Sequence, residues 1–197
     1  MTTEIEELYQ EVILDHSRRP RNFGELADAA VQVHGDNPAC GDEIHLGVKF
    51  DAGGGLEDIK FSGHGCAISQ ASASLMTMKL KGKSRLEVTE MLRAFHDLVT
   101  DETSEGPKIL GDLRAMKGVR KFPQRVKCAM LAWRAVEQAL EQRAGEAKVS
   151  TELEESRHGS GAGQWASNSS DDWNGSLLQT PLGGRFGRRM RQKTYKH

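Results

Sequence analysis

The sequence has few cysteines, little net charge and no long apolar run, and each absence excludes a class of protein. Three cysteines in 197 residues are an odd number, and they are too few for a disulfide scaffold in a chain of this length. No apolar segment approaches the roughly 18 residues of a membrane-spanning helix. A net charge of −1 argues against a general nucleic-acid-binding protein, which usually has a strong basic excess. We therefore expect a cytoplasmic protein with reduced thiols and no membrane partner.

The last 50 residues differ in composition from the rest. Residues 148–197 contain seven glycines and no apolar period, so they cannot bury enough apolar surface to offset the entropy lost on ordering. We predict a domain over residues 1–147 and a disordered tail over 148–197. The end of the tail, residues 185–196, has six basic and no acidic residues. This end is a candidate contact for an anionic partner, although a solvated tail is the simpler interpretation.

Apolar periodicity predicts one helix, then a small sheet, then more helices. A helical period over residues 5–13 is followed by three runs of alternating apolar residues, which are typical of strands with one buried face. The glycine-rich turn at residues 51–55 indicates a hairpin. Four further helical segments follow, near residues 67–80, 84–99, 113–119 and 123–140. Elements segregated in this way indicate an α+β fold with an antiparallel sheet and about five helices.

The three cysteines lie at the boundaries of these elements. Cys40 enters a strand, Cys66 lies between a strand and a helix, and Cys128 is near the start of the last helix. Asp42 follows Cys40 by two residues, so in extended chain their side chains point the same way. Three thiolates and one carboxylate suit tetrahedral zinc, and a helix N-terminus favours a thiolate at Cys66. The spacing leaves a second interpretation open, in which the cysteines are small buried apolar residues.

Three motifs resemble the U-type iron–sulfur assembly proteins, which comprise IscU, SufU and the N-terminal domain of NifU. They are NPACGDE, GHGCAIS and the helix of Cys128, in that order, and the first helix with its loop, LYQEVILDHSRRPRNFG, is similar as well. The resemblance spans roughly residues 5–143 and implies a three-stranded antiparallel sheet packed by helices. Members of this family accept persulfide sulfur from a cysteine desulfurase, and some assemble a [2Fe–2S] cluster on the three cysteines.

The segment FPQRVKC favours one branch of the family. IscU-type proteins have an LPPVK-type motif and a histidine directly before the third cysteine, whereas here Lys127 precedes Cys128. The connection between residues 99 and 122 resembles the insertion of SufU-like proteins. The resemblance implies a sulfur shuttle that works with a SufS-type cysteine desulfurase. The zinc site that it implies consists of Cys40, Asp42, Cys66 and Cys128.

Cys40 is the predicted sulfur acceptor, because its loop should be the most movable of the three cysteine positions. A thiolate must attack the persulfide, so we expect a group of the desulfurase to displace Cys40 from zinc during transfer. Three further residues lie near these cysteines in the sequence. His64 is either an alternative ligand or a solvated loop residue, and Lys127 is expected to be solvated. Arg125 either pairs with Asp42, steadies a thiolate, or is a surface residue.

Three functions remain open from sequence. The first is a zinc-dependent sulfur acceptor and carrier, which Lys127 and the insertion favour. The second is a scaffold that binds iron or a transient [2Fe–2S] cluster on the same cysteines, since thiolates serve both uses. The third is a structural zinc protein whose basic tail binds nucleic acid. The expected partners are the desulfurase and downstream cluster scaffold or acceptor proteins, with nucleic acid the least expected.

Overall fold

The computed structural model describes residues 4–142 and 145–151, with side chains from residue 10 onward, so the predicted tail beyond residue 151 lies outside the described residues. The chain begins with α1 (Glu4–Arg18) and three strands, β1 (Val31–Asn37), β2 (Asp42–Phe50) and β3 (Leu56–His64). It continues with α2 (Ala67–Leu80), α3 (Arg85–Thr100), a 3₁₀ segment (Lys108–Lys121), α4 (Pro123–Glu141) and β4 (Gly145–Ser150). The α+β class and the five helical segments are confirmed. None of the helices described is both long and apolar enough to cross a membrane.

The sheet has four strands in the order β3-β2-β1-β4. β2 pairs antiparallel with both β1 and β3, whereas β4 runs parallel to β1. The prediction of three antiparallel strands is therefore wrong. β4 arrives after the helices, without the adjacent turn that marks a hairpin, and only Ala147 and Val149 contribute partly buried apolar side chains. β4 also runs through position 147, where the sequence predicted the domain to end.

One face of the sheet forms the core with the helices. α4 contacts β1, β2 and β4, while α2 contacts β3, α1 and α4. Ser72 on α2 donates to the Ala129 carbonyl at 2.7 Å and accepts from Trp133 Nε1 at 3.1 Å. The Trp133 ring in turn stacks on Phe95 with centroids 4.1 Å apart. α4 is thus fixed against both the sheet and α2. The fully buried apolar side chains of the strands are those of Val31, Val33, Ile44, Leu46, Val48, Leu56, Ile59 and Phe61.

Candidate metal centre

The loop between β1 and β2 places Cys40 next to Asp42. The amides of Cys40 and Gly41 both donate to the Asn37 carbonyl, with N···O distances of 3.1 and 2.9 Å, so the chain reverses directly after β1. Asp42 begins β2 in the same phase as the core residue Ile44, and it is only 1% exposed. Cys40 is half-buried at the turn. The hairpin end therefore presents a carboxylate to the interior and a thiol to the boundary with solvent.

Cys128 reaches the same point from α4. Pro123 occupies the first turn of this helix, where its missing N–H and fixed φ are well tolerated. Cys128 lies on the buried side of α4 and is completely inaccessible to solvent. The sulfur atoms of Cys40 and Cys128 and a carboxylate oxygen of Asp42 all lie within 4.8 Å of one another. The fold thus brings three of the four predicted ligands together.

Cys66 is adjacent to this group but, among the described residues, is not part of the 4.8 Å cluster. Its backbone N–H donates to Asp42 Oδ1 at 2.7 Å, which fixes the start of α2 beside the carboxylate. Its sulfur caps α2 and accepts from the Ser69 N–H at 3.5 Å. The N-terminus of a helix favours negative charge on such a sulfur. Cys66 is half-buried, so the second cysteine, like the first, is partly accessible.

Two glycines permit the close approach of the Cys66 loop to β2. Gly63 has φ +122°, and a Cβ there would lie 2.2 Å from the Glu43 carbonyl oxygen. A Cβ at Gly65 would lie 2.7 Å from Asp42 Oδ1. Real Cβ atoms do not approach other atoms this closely, so a side chain at either position would push the loop away. The glycines in GHGC are therefore needed for the geometry of the centre.

The electrostatics of the centre depend mainly on burial. Burial raises the pKa of the Cys128 thiol well above its usual value, and hydrogen bonds with Asp42 and Cys40 and the charge of Cys66 raise it further. Arg125 is exposed, and its hydrogen bond with Cys128, followed by the charges of the three cysteines, raises the pKa of its guanidinium. Without a bound metal ion, burial therefore favours the neutral thiol of Cys128 over its thiolate. A bound metal ion would reverse this preference, since a coordinating thiol loses its proton.

Arg125, His64 and Lys127, the three predicted neighbours of the metal ligands, differ in their position relative to the centre. Arg125 is hydrogen-bonded to Cys128. His64 is exposed at the end of β3, and its Nδ1 lies 3.8 Å from Glu43 Oε2, outside the cluster found in the described part of the chain. Lys127 is half-buried on α4.

Asn37, which the sequence analysis did not single out, belongs to the centre. It is the last residue of β1, it is completely buried, and its register partner is Asp42. Its Nδ2 donates to Asp42 Oδ2 at 3.2 Å and to Cys128 Sγ at 3.3 Å. A signal was present in the sequence, because Asn37 falls in phase with Val31 and Val33 on the buried face of β1. A polar side chain at such a position needs a buried partner.

Comparison with known proteins shows the family of the chain. The model described as the NifU-like N-terminal domain matches residues 8–149. The chain belongs to this family. The matched segment includes the four predicted ligands, Asn37 and most of β4. The family assignment therefore rests on the same part of the chain that forms the candidate metal centre.

Individual members of the family carry two different descriptions. The chain is 45% identical over 141 residues to the zinc-dependent sulfurtransferase SufU of Bacillus subtilis, covering 72% of this chain and 95% of that protein. It is 43% identical over 142 residues to the iron–sulfur cluster assembly scaffold protein IscU of Streptococcus pyogenes, covering 72% and 88%. A crystal structure from Fervidobacterium islandicum, described as a candidate iron–sulfur cluster assembly scaffold for the SUF system, has a TM-score of 0.62 at 36% identity. It covers 68% of this chain and 97% of the other.

The donor set of the centre fits a thiophilic metal ion. Two cysteine sulfurs and a carboxylate oxygen, held within 4.8 Å of one another, are ordinary zinc ligands. Iron uses the same thiolates, so the donor types do not by themselves distinguish the two metals. Cys66 lies beside this group, with its backbone N–H bonded to Asp42.

Proposed function

We propose that the chain is a zinc-dependent sulfur acceptor and carrier, which takes persulfide sulfur from a SufS-type cysteine desulfurase for iron–sulfur cluster assembly. The observation that carries this proposal is the convergence of Cys40, Asp42 and Cys128 at one buried point, with Cys40 half-buried at its rim. The 45% identity to a zinc-dependent sulfurtransferase over most of the domain supports it. A cytoplasmic location, in which thiols stay reduced, suits this chemistry.

The proposed ligands are Cys40, Asp42, Cys66 and Cys128. Cys66 would join the other three when its sulfur turns from the Ser69 N–H toward Asp42, to which its backbone is already bonded. Four ligands of this kind complete a tetrahedral zinc site. The bound ion would supply the positive charge that keeps these sulfurs as thiolates at neutral pH. Zinc imposes no ligand-field geometry, so exchange of one ligand is inexpensive.

Cys40 is the proposed acceptor because it is held less firmly than Cys128. Its described backbone hydrogen bond is the turn contact from its N–H to Asn37, and its side chain is partly exposed. In the transfer step the released Cys40 thiolate attacks the outer sulfur of the enzyme persulfide. A new S–S bond forms at Cys40, the S–S bond of the donor breaks, and the donor cysteine leaves as a thiolate. The persulfide proton moves with the transferred sulfur, so no external oxidant or reductant is consumed.

Arg125 would support this step from the solvent side. Its guanidinium is exposed, is hydrogen-bonded to Cys128 and lies in the field of all three cysteines. A fixed positive charge beside thiolates favours their ionised form. We propose that Arg125 steadies the thiolates while Cys40 is away from the metal. His64, which lies beside Glu43, and Lys127 are given no direct part in this step.

The alternative is a scaffold on which a transient [2Fe–2S] cluster is assembled by the same cysteines. The 43% identity to an IscU scaffold protein over the same domain favours it. Thiolates bind iron–sulfur clusters and zinc alike, so the two proposals differ in the resident metal and in the reaction rather than in the residues.

Alanine release from cysteine by a SufS-type desulfurase distinguishes the two proposals. Zinc-loaded chain should raise desulfurase turnover many-fold, because the enzyme persulfide is cleared only as fast as a thiolate reaches it. Metal-free chain should do so much less, and Cys40→Ser should bind the desulfurase without stimulating it. Equal stimulation by loaded and metal-free chain would contradict the zinc-dependent acceptor. A stable cluster formed from iron and sulfide, with zinc acting as an inhibitor, would establish the scaffold instead.

A further inference from the structure

Asn37 is a polar residue at a position where the packing of the core would be satisfied by an apolar side chain. It is completely buried at the end of β1, in phase with Val31 and Val33. Its Oδ1 is buried and, within the described residues, has no hydrogen-bond partner. A buried polar atom without a partner carries a desolvation cost, and in a folded protein such an atom calls for an explanation. The explanation must therefore lie in the contacts of the other end of the amide, the Nδ2 group.

The Nδ2 end of the amide bridges two ligands that come from distant parts of the chain. It donates to Asp42 Oδ2 at 3.2 Å and to Cys128 Sγ at 3.3 Å. An amide NH₂ has two donors, so one proton serves each acceptor. The bridge is rigid because Asn37 and Asp42 are register partners in the β1–β2 ladder, while Cys128 is fixed on α4. The equivalent bridge to Cys40 or Cys66 is not among the contacts described for Asn37.

We propose that Asn37 is a positioning residue that holds Asp42 and Cys128 as the permanent ligands of the metal, so that ligand exchange is directed to Cys40. This inference rests on the proposed metal centre and deepens it. Movement of the Cys128 sulfur out of the site would break its hydrogen bond from Asn37, and hydrogen bonds to ionised groups are about twice as strong as neutral ones. The described side-chain hydrogen bonds of Asn37 do not include the Cys40 sulfur, so they do not oppose the release of Cys40. An amide also adds no charge, so it does not repel the cation as a lysine or arginine would.

Cobalt(II) binding to the full chain tests the holding role. Asn37→Leu removes both donors and the orphaned oxygen while keeping a side chain branched at Cγ, and Gln32→Leu makes a matched amide-to-leucine change at an exposed position of β1. We expect Asn37→Leu to weaken cobalt affinity about 10–100-fold in chelator competition, the usual effect of removing a partner that orients a metal ligand. Any fall in the thermal midpoint of the metal-free chain should be too small to account for this loss of affinity, because the unpaired Oδ1 is also removed and Asp42 keeps its bond from the Cys66 N–H. Gln32→Leu should change neither. Wild-type cobalt affinity in Asn37→Leu, or a loss explained by a lower midpoint of the metal-free chain, would overturn the proposal.

The order of alkylation in the cobalt-loaded chain tests the directing role. In the wild type, iodoacetamide should modify Cys40 before Cys128, whereas in Asn37→Leu the two rates should approach each other. A Cys40-first order that persists unchanged in Asn37→Leu would remove the directing role. If the leucine variant did not fold, Asn37→Ser, which is too short to reach both acceptors, would be measured in its place with the same criteria. No desulfurase is present in either experiment, so a failure of sulfur transfer would leave these outcomes unaffected.

Discussion

The candidate metal centre has two halves with opposite properties. The buried half consists of Asp42 and Cys128, which are almost inaccessible to solvent and share the Asn37 amide. The open half consists of Cys40 and Cys66, which are half-buried and lie at the ends of loops. Three side chains of one chemical type are thus placed in two different environments. In the proposed function the buried half would retain the ion and the open half would release the nucleophile, because retention needs rigid ligands and transfer needs a movable one.

The largest expected effect is on zinc affinity. It appears when two single variants are compared, one that removes the Cys128 sulfur of the buried half and one that removes the Cys40 sulfur of the open half. Cys128→Ser should lower zinc affinity about 100-fold or more, since loss of a mere hydrogen-bond partner of a ligand already costs about 10–100-fold. Because metal binding is linked to folding, its zinc-dependent gain in thermal midpoint should also disappear. Cys40→Ser should lose sulfur transfer, but it should keep more of the zinc affinity and more of the zinc-dependent gain in thermal midpoint than Cys128→Ser. Zinc per chain, chelator competition and thermal melts measure these quantities.

The two halves would be indistinguishable if both variants lost zinc to the same extent. Full zinc occupancy in a Cys66→Ser, Cys128→Ser double variant would contradict the proposed metal site as a whole.

A smaller effect is expected from the loop that presses on the buried half. Gly65→Ala places a Cβ 2.7 Å from Asp42 Oδ1, so either the loop or the carboxylate must move. Overpacking of this kind destabilises by about 1–3 kcal/mol, and zinc affinity should fall as Asp42 is displaced. Gly118→Ala is the control, because a Cβ there meets nothing within 4 Å, and its effect should stay within about 0.5 kcal/mol. Urea unfolding of both variants would show whether Asp42 is as tightly enclosed as its burial indicates.

The smallest expected effect is a difference between the alkylation rates of the three cysteines, which can be measured on the wild-type chain. In the metal-free chain at neutral pH, alkylation should modify Cys40 and Cys66 at least about ten times faster than Cys128, because the thiolate is the reactive form. Cys128 is buried, and its raised pKa keeps it protonated. Peptide mapping by mass spectrometry would give the three rates, and unfolding in urea should make them similar. Equal rates in the folded chain would contradict the division into a buried and an open half.

Local patterns were sufficient to predict most of the elements, but not the edge of the sheet. Alternation over residues 31–33, 44–50 and 59–61 marked three strands, since each has a buried and an exposed face. β4 has six residues, of which Glu146 and Lys148 are charged and exposed. Its partner, β1, lies more than 100 residues earlier in the chain. Pairing at that separation depends on how α4 returns to the sheet, which no local pattern records.

The same distinction applies to the centre. The approach of Cys40 to Asp42 follows from the period of a strand, and the place of Cys66 at the start of α2 follows from the element boundary. The contact of Asn37 with Asp42 and Cys128 needs both the register of the hairpin and the packing of α4. The sequence nevertheless carried a signal that could have been used. A polar residue in the core phase of β1 indicates a buried hydrogen-bond partner before that partner is known.

The parallel pairing of β4 with β1 also determines which strand forms this edge of the sheet. Without β4, β1 would be an edge strand with a row of unsatisfied amides and carbonyls, which is a template for pairing with another copy. β4 takes that position with a short strand whose exposed side chains include Glu146 and Lys148, and charges at an edge discourage further strand addition. A shortened chain that ended before residue 145 would therefore keep all four proposed ligands and yet be prone to aggregate.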